Sequence, residues 1–140
     1  MKIMIIGSMK FVKDMVKVKK QLDKLGHEAR LPFGTNPHLK DKNFVDNLDK
    51  NLEYCLKNDV MRKNFQMVAD SDAVLVINYK RNGLDGYIGI SALLEMGVAH
   101  YLKKKIFLMQ KPPHFHNARW AHEVAIMQPT VIYEDLSKIS

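Results

Sequence analysis

An α/β fold, with helices covering both faces of a parallel sheet, is the class this chain predicts. Three observations carry that expectation. Short apolar runs alternate with segments whose apolar residues recur every three to four positions, which is the order of successive βαβ units. Ala73–Ile77 is apolar at every position and bounded by polar residues, as suits a central strand buried on both sides. The 140 residues, 46% hydrophobic and 26% charged, contain no internal repeat and no linker, so residues 1–140 form one domain.

The first strand is Lys2–Ile6, stopped by Gly7-Ser8. From Lys10 to Leu25, Phe11, Met15, Val18, Leu22 and Leu25 keep the spacing of a buried helix face. Lys13, Lys17, Lys20 and Lys24 keep the same spacing on the opposite side, which reads as a solvated surface. Gly26 suits the end of that helix. His27–Leu31 is a second strand closed by Pro32, and Phe33–Lys42, with Gly34, Asn36 and Pro37, reads as a loop. Asn43–Ala69 is helical in pattern with a break near Asn58-Asp59, where Asp59 is placed to cap a second helix.

After the strand Ala73–Ile77 comes a loop, Asn78–Gly89, with Gly83, Gly86 and Gly89 spaced three apart. A nearly all-apolar helix from Gly89 to Leu102 leads to a strand at Lys105–Met109. Beyond Lys111-Pro112-Pro113, a helix over His116–Met127 and a short strand at Thr130–Tyr133 complete the pattern. Five strands joined by right-handed crossovers give a flavodoxin- or Rossmann-like three-layer sandwich with sheet order 2-1-3-4-5. Its ligand crevice falls beyond the carboxyl ends of strands 1 and 3. Gly7, Ser8 and Met9 occupy the first position and the Asn78–Gly89 loop the second.

Composition excludes several classes. Cys55 is the one cysteine, so neither an internal disulfide nor a cysteine-based metal cluster forms. No stretch approaches the ~18–20 apolar residues of a membrane span, and the opening Met1–Gly7 lacks the features of a signal peptide. A cytoplasmic protein with no membrane partner is the expectation. The 22 Lys and Arg against 15 Asp and Glu give a charge of +7, which concentrates anions at the surface. Much of the excess lies along one helix face, so nucleic acid is not the expected partner. His114, His116, His122 and Glu123 match no established zinc spacing, and neither a metal nor another cofactor is expected. The methionines read as pliable core filler.

For chemistry, the standard phosphate signatures are missing. There is no Gly-x-x-x-x-Gly-Lys-Ser/Thr and no Gly-x-Gly-x-x-Gly after the first strand, which argues against nucleoside triphosphatases and dinucleotide dehydrogenases. Ile77-Asn78-Tyr79 lacks the aspartate of a phosphoacceptor domain. Glu95 is the informative residue. It sits in Ser91–Ala99, apolar or small on every helical face, and a carboxylate there is either paired, capping or used. Gly89 and Ser91 precede a helix N-terminus, and with Gly7-Ser8 across the crevice they suit a sugar phosphate. The same glycines equally suit a tight loop that needs positive φ. Asn78 lies in this crevice loop too, and Tyr79 and Tyr87 are each placed either to stack on a base or to pack.

Taken together, Asp72-Ala-Val-Leu-Val-Ile, a glycine-rich loop, Glu95-Met-Gly-Val-Ala and Lys103-Lys-Lys-Ile-Phe-Leu resemble the nucleoside 2-deoxyribosyltransferase family. The opening Lys2-Ile-Met-Ile-Ile-Gly-Ser is similar to its nucleoside 5′-phosphate N-hydrolase branch. The resemblance implies that Glu95 is a nucleophile that attacks the anomeric carbon of a (deoxy)nucleoside 5′-monophosphate and expels the base. Water or a second base then resolves the glycosyl-enzyme, the two-step logic of a retaining glycosidase. A helix N-terminal setting favours the ionised carboxylate this requires. The family's leaving-group acid lies eight residues before the strand's aspartate; here that position is Asn64, and Asp59 is the nearest acid on the helix. Phe11 is the nearest aromatic to the tyrosine that often follows strand 1. These departures point to a purely hydrolytic enzyme, to a different base, or to a non-catalytic nucleotide-binding or sensing module. A homodimer or higher oligomer is implied by the family and by the apolar residues Phe44, Val45, Leu48, Leu52 and Leu56, which outnumber those of an exposed connector.

Overall fold

The computed structural model describes all 140 residues. Five parallel strands, β1 (Lys2–Gly7), β2 (Glu28–Arg30), β3 (Ala73–Ile77), β4 (Lys105–Leu108) and β5 (Thr130–Val131), pair in the order β2-β1-β3-β4-β5. Six helices connect or flank them: α1 (Val12–Lys24), α2 (Thr35–Lys40), α3 (Leu48–Asn58), α4 (Val60–Ala69), α5 (Ile90–Tyr101) and α6 (Ala121–Met127). The predicted α/β class and strand order are therefore those of the molecule. No helix is long and apolar enough to cross a membrane.

Strand alternation divides the core in two, because successive side chains leave a strand on opposite faces. Ile3, Ile5, Ala73, Leu75, Ile77 and Phe107 pack on one face against Met15, Val18 and Leu22 of α1. Met4, Ile6, Val74, Val76, Ile106 and Leu108 pack on the other against Val68 of α4, Ala92, Met96 and Ala99 of α5, and Val124 of α6. Every residue of β3 is buried. Its all-apolar sequence follows from having helices on both sides.

Three expectations are corrected. Phe33–Lys42 is not wholly a loop, for it contains α2. Gly34 turns the chain at φ 83, the Thr35 hydroxyl donates to the Pro32 carbonyl, and Pro37 falls in the first turn, where no helical N–H is lost. The last helix begins at Ala121 rather than His116. The His114 carbonyl accepts from Asn117 N and Ala118 N at 2.8 and 3.2 Å, which closes a separate turn over those residues. Asp59 does stand between α3 and α4, but at φ 48 its side chain caps neither. Its carboxylate accepts from Arg62 Nε at 3.1 Å instead.

α3 contributes no buried residue. Leu48, Leu52 and Leu56, four positions apart, leave an exposed apolar stripe along it, and Ile90, Leu94 and Tyr101 are exposed on α5.

Candidate functional site

A cleft of about 390 Å³ opens at the carboxyl ends of β1 and β3, where the topology places it. Its floor is Gly7-Ser8-Met9, and its walls come from the first turns of α5, from α2, α3 and α4, and from the loop after β3. Gly7 is required at the floor, since a Cβ there would stand 2.7 Å from the Ile77 carbonyl. Ser8, at the end of β1, is buried and accepts from Lys10 N at 3.3 Å. Gly89, Ile90, Ser91 and Ala92 bring the N-terminus of α5 to the cleft, and no side chain caps that helix. Helix amides left without intrahelical partners, with the positive end of the helix dipole, suit an anion.

Glu95 lies about a turn and a half into this wall, on the face of α5 that also carries Ala92, Met96 and Ala99. It is 6% exposed, and its Oε2 has no hydrogen-bond partner. No cation pairs with it, so burial dominates and pushes its pKa up to about 8. This corrects the expectation of an ionised carboxylate. A helix dipole is worth roughly 0.3–1 kcal/mol, whereas a rise from 4.5 to about 8 corresponds to several kcal/mol of unfavourable desolvation. With burial unopposed by a cation, the neutral form of Glu95 is the favoured one at neutral pH.

The residue that sequence analysis did not single out is Arg81. It lines the cleft from the loop after β3, with its side chain 20% exposed. Nη1 donates to Ser8 Oγ at 2.6 Å, the guanidinium lies over the Tyr87 ring at 5.3 Å, and Nε is buried without a partner. Reciprocal backbone hydrogen bonds between Arg81 and Leu84 close a two-residue turn, with Asn82 and Gly83 at φ 53 and 74. Asn-Gly is the dipeptide that tolerates positive φ at both positions, so this turn had a readable signal. Tyr87 in turn meets Trp120 edge to face.

Arg81 Nε and Glu95 Oε2 are the two buried side-chain polar atoms that lack a partner, and both belong to residues that line this one cleft. Polar atoms are seldom left so unless something else completes them. Asp46 also lines the cleft; its carboxylate accepts from Lys10 Nζ at 2.6 Å, lies 3.6 Å from Arg81 Nη2, and is held below the usual carboxylate range chiefly by the Lys10 bond. His38, from α2, is half-buried with its pKa lowered by that burial, and its ring meets Phe44 edge to face.

Of the residues expected in the site, Gly7, Ser8, Met9, Asn64, Tyr87, Gly89, Ser91 and Glu95 line the cleft. Asp59, Asn78 and Tyr79 do not. Asn78 is buried and exchanges two hydrogen bonds with the Gln110 backbone, at 2.8 and 2.9 Å, tying the end of β3 to the end of β4. Tyr79 packs with Phe11 against the α1 face, and burial pushes its pKa up to about 12. Asn64 reaches the cleft, but its Oδ1 accepts from Phe33 N at 2.8 Å and its Nδ2 donates to Phe33 O at 3.4 Å. That amide clamps the chain after β2 and is not free to act on a ligand. His114 and His116 stack on each other outside the cleft.

The fold and cleft together define an α/β protein with a partly buried arginine and a buried carboxyl group at its topological switch point. No family model matches the chain, and no curated protein sequence matches it.

Proposed function

We propose that the cleft binds a (deoxy)nucleoside 5′-monophosphate and that Glu95 cleaves its N-glycosidic bond. The observation that carries this reading is the pair of unpartnered buried atoms, a cationic Nε and a carboxyl Oε2, on two residues that line one cleft. Arg81, Ser8 and the leading amides of α5 suit the phosphate, and Glu95, deeper along α5, suits the sugar. In the first displacement the Glu95 carboxylate forms a bond to C1′ while the C1′–N bond breaks. The bonding pair leaves with the base, which takes a proton from solvent. Water, or a second base, then attacks C1′ and restores the carboxylate. A carboxylate in a dry wall gains most from the positive charge that develops on the sugar ring, so its stabilisation falls on the transition state rather than on the bound substrate.

Glu95 must first lose its proton, so the rate rises with pH toward the carboxyl pKa. Base release from a panel of ribo- and deoxyribonucleoside monophosphates, followed by chromatography, tests the reading. Glu95→Gln should abolish it; release that persists in this variant refutes the covalent route.

One observation favours a second reading, a non-catalytic nucleotide-binding or sensing module. Asn64 stands where the resemblance expects an acid and is committed to Phe33, while Asp59 lies outside the cleft. Calorimetric nucleotide binding without base release at any pH between about 6 and 9 would decide for that module.

The same reading includes a homodimer or higher oligomer. Leu48 and Ile90 line the cleft yet are exposed, and they continue into the stripe Leu52–Leu56 on α3 and Leu94 on α5. A second subunit covering that area would also close the cleft mouth.

A further inference from the structure

Beyond the catalytic residues, the single turn Phe44–Asp46 contributes Val45 and Asp46 to the cleft wall, and Asp46 is the carboxylate paired both with Arg81 of that wall and with Lys10, which follows the floor residue Met9. We propose that Asp46 is an internal anion that occupies the phosphate seat of the cleft and yields it to a ligand phosphate. The proposal rests on reading the cleft as a phosphate site.

Three features support it. Asp46 uses one carboxylate oxygen for each cation: Oδ2 meets Lys10 Nζ at 2.6 Å and Oδ1 lies 3.6 Å from Arg81 Nη2. A phosphate between the same two cations would present its oxygens in the same sense. Second, the partners are unequally held. The Asp46 side chain is 60% exposed, whereas that of Arg81 is 20% exposed and fixed by Ser8 and Tyr87. The cation is the built part and the carboxylate the movable one. Third, Asp46 satisfies Arg81 poorly, because 3.6 Å exceeds a good charge-assisted hydrogen bond and Nε stays empty. A phosphate has enough oxygens to complete both groups.

Displacement has a structural consequence. The Asp46 and Asn47 amides both donate to the Asn43 carbonyl, at 3.1 and 3.2 Å, and Phe44 rests edge-on against His38 and Tyr54. Once Lys10 and Arg81 turn to phosphate, nothing charged holds this turn down. Occupancy of the seat is thereby coupled to loosening of residues 43–47.

Inorganic phosphate is the probe, titrated at constant ionic strength into the wild-type protein and into Asp46→Asn, Asp46→Ala and Arg81→Gln. Removing an exposed competing ion pair should tighten phosphate binding by about 3–10-fold in both Asp46 variants, and Arg81→Gln should weaken it by at least about ten-fold. Hydrogen exchange supplies the independent readout. Phosphate should speed exchange at the Asp46 and Asn47 amides of the wild type, while in Asp46→Asn those amides exchange fast before phosphate is added. Wild-type binding that is unchanged or weakened in both Asp46 variants overturns the displaced-anion proposal and leaves the phosphate site standing. Opposite effects of Asn and Ala would trace to the new amide and also overturn it. Failure of phosphate to bind any of the four proteins removes the phosphate reading, and this proposal with it.

Discussion

Replacing Glu95 by Gln should stabilise the protein assayed without added ligand, and by an amount that grows with pH. Burial raises the Glu95 pKa in the folded chain to about 8, against 4.5 when exposed. Between those values the native state keeps a proton that the unfolded chain has released, so stability falls as pH rises. The sign is that of any group whose folded pKa is raised: the favourable contribution of the neutral form is complete below the unfolded pKa and is lost as pH climbs through the folded one. At about 1.36 kcal/mol per pH unit, the rise from 4.5 to about 8 amounts to roughly 4–5 kcal/mol in full. Most of this, roughly 3–4 kcal/mol, falls between about pH 5 and pH 9.

That is a large share of the ~5–15 kcal/mol by which a domain is stable. Urea unfolding of both proteins across this pH range measures it. Two other effects act over the same range. His38, whose pKa is lowered by burial, makes stability rise through its own titration, and the net charge of +7 declines toward a pI near 9.5. Both are common to the two proteins and cancel in the difference. Near pH 5 the variant should match the wild type within about 1 kcal/mol, and near pH 9 it should exceed it by several. A difference that stays flat within about 0.5 kcal/mol would show that Glu95 ionises normally and would refute the desolvation argument.

The remaining predictions concern ligand, chemistry and assembly. Arg81→Met should weaken binding of nucleoside monophosphates by about 10–100-fold while leaving nucleosides within about two-fold, as expected for a lost charge-assisted pair; equal losses for both ligands would mean a misfolded loop. If Glu95 is the nucleophile, kcat/KM for base release should climb about ten-fold per pH unit below its pKa and level off near pH 8, and a pH-independent profile would exclude that role. Asn64→Asp should not raise base release, although it restores an acid; it should cost about 1–3 kcal/mol at neutral pH by setting a carboxylate against the Phe33 carbonyl, with part recovered on acidification. Light scattering at micromolar concentration should give at least twice 16.2 kDa, reduced to the monomer by Leu52→Asp; a mass near 16.2 kDa at every concentration would dismiss the oligomer.

The sheet was readable because its strands had few alternatives. Ala73–Ile77 is covered on both faces, so only apolar side chains fit, and its bounds coincide with those of β3. The helices blurred where local chemistry hid in loops. Thr35–Lys40 looks unhelical until Pro37 is assigned to a first turn, and the His114 carbonyl takes the amides that a longer α6 would have needed. Glu95 stood out because a carboxylate among Ala, Leu, Met and Gly is locally anomalous. Arg81 is not anomalous in its own neighbourhood. What sets it apart is its meeting with Ser8, 73 positions away, and with Asp46 and Tyr87, and no local pattern encodes that meeting.

At the end of β3, which side chains face the cleft side of the sheet was nevertheless decidable from parity. Side chains at 73, 75 and 77 of β3 face α1, and the same alternation sends Tyr79 to that face, where it meets Phe11. The cleft draws its walls from α2, α4 and α5, and α4 and α5 pack on the opposite face of the sheet. Tyr79 is thus directed away from the cleft by the same alternation that builds the core. Asn78 has the correct parity for the cleft but is claimed by the Gln110 backbone at the β3–β4 seam, a demand set by strand order rather than by its neighbours in sequence. Position at a carboxyl end of the sheet therefore makes a residue eligible for the site, while parity and the satisfaction of backbone hydrogen bonds determine which eligible side chains remain available to a ligand. Glu95 and Arg81 are the two that remain with unfilled buried valences.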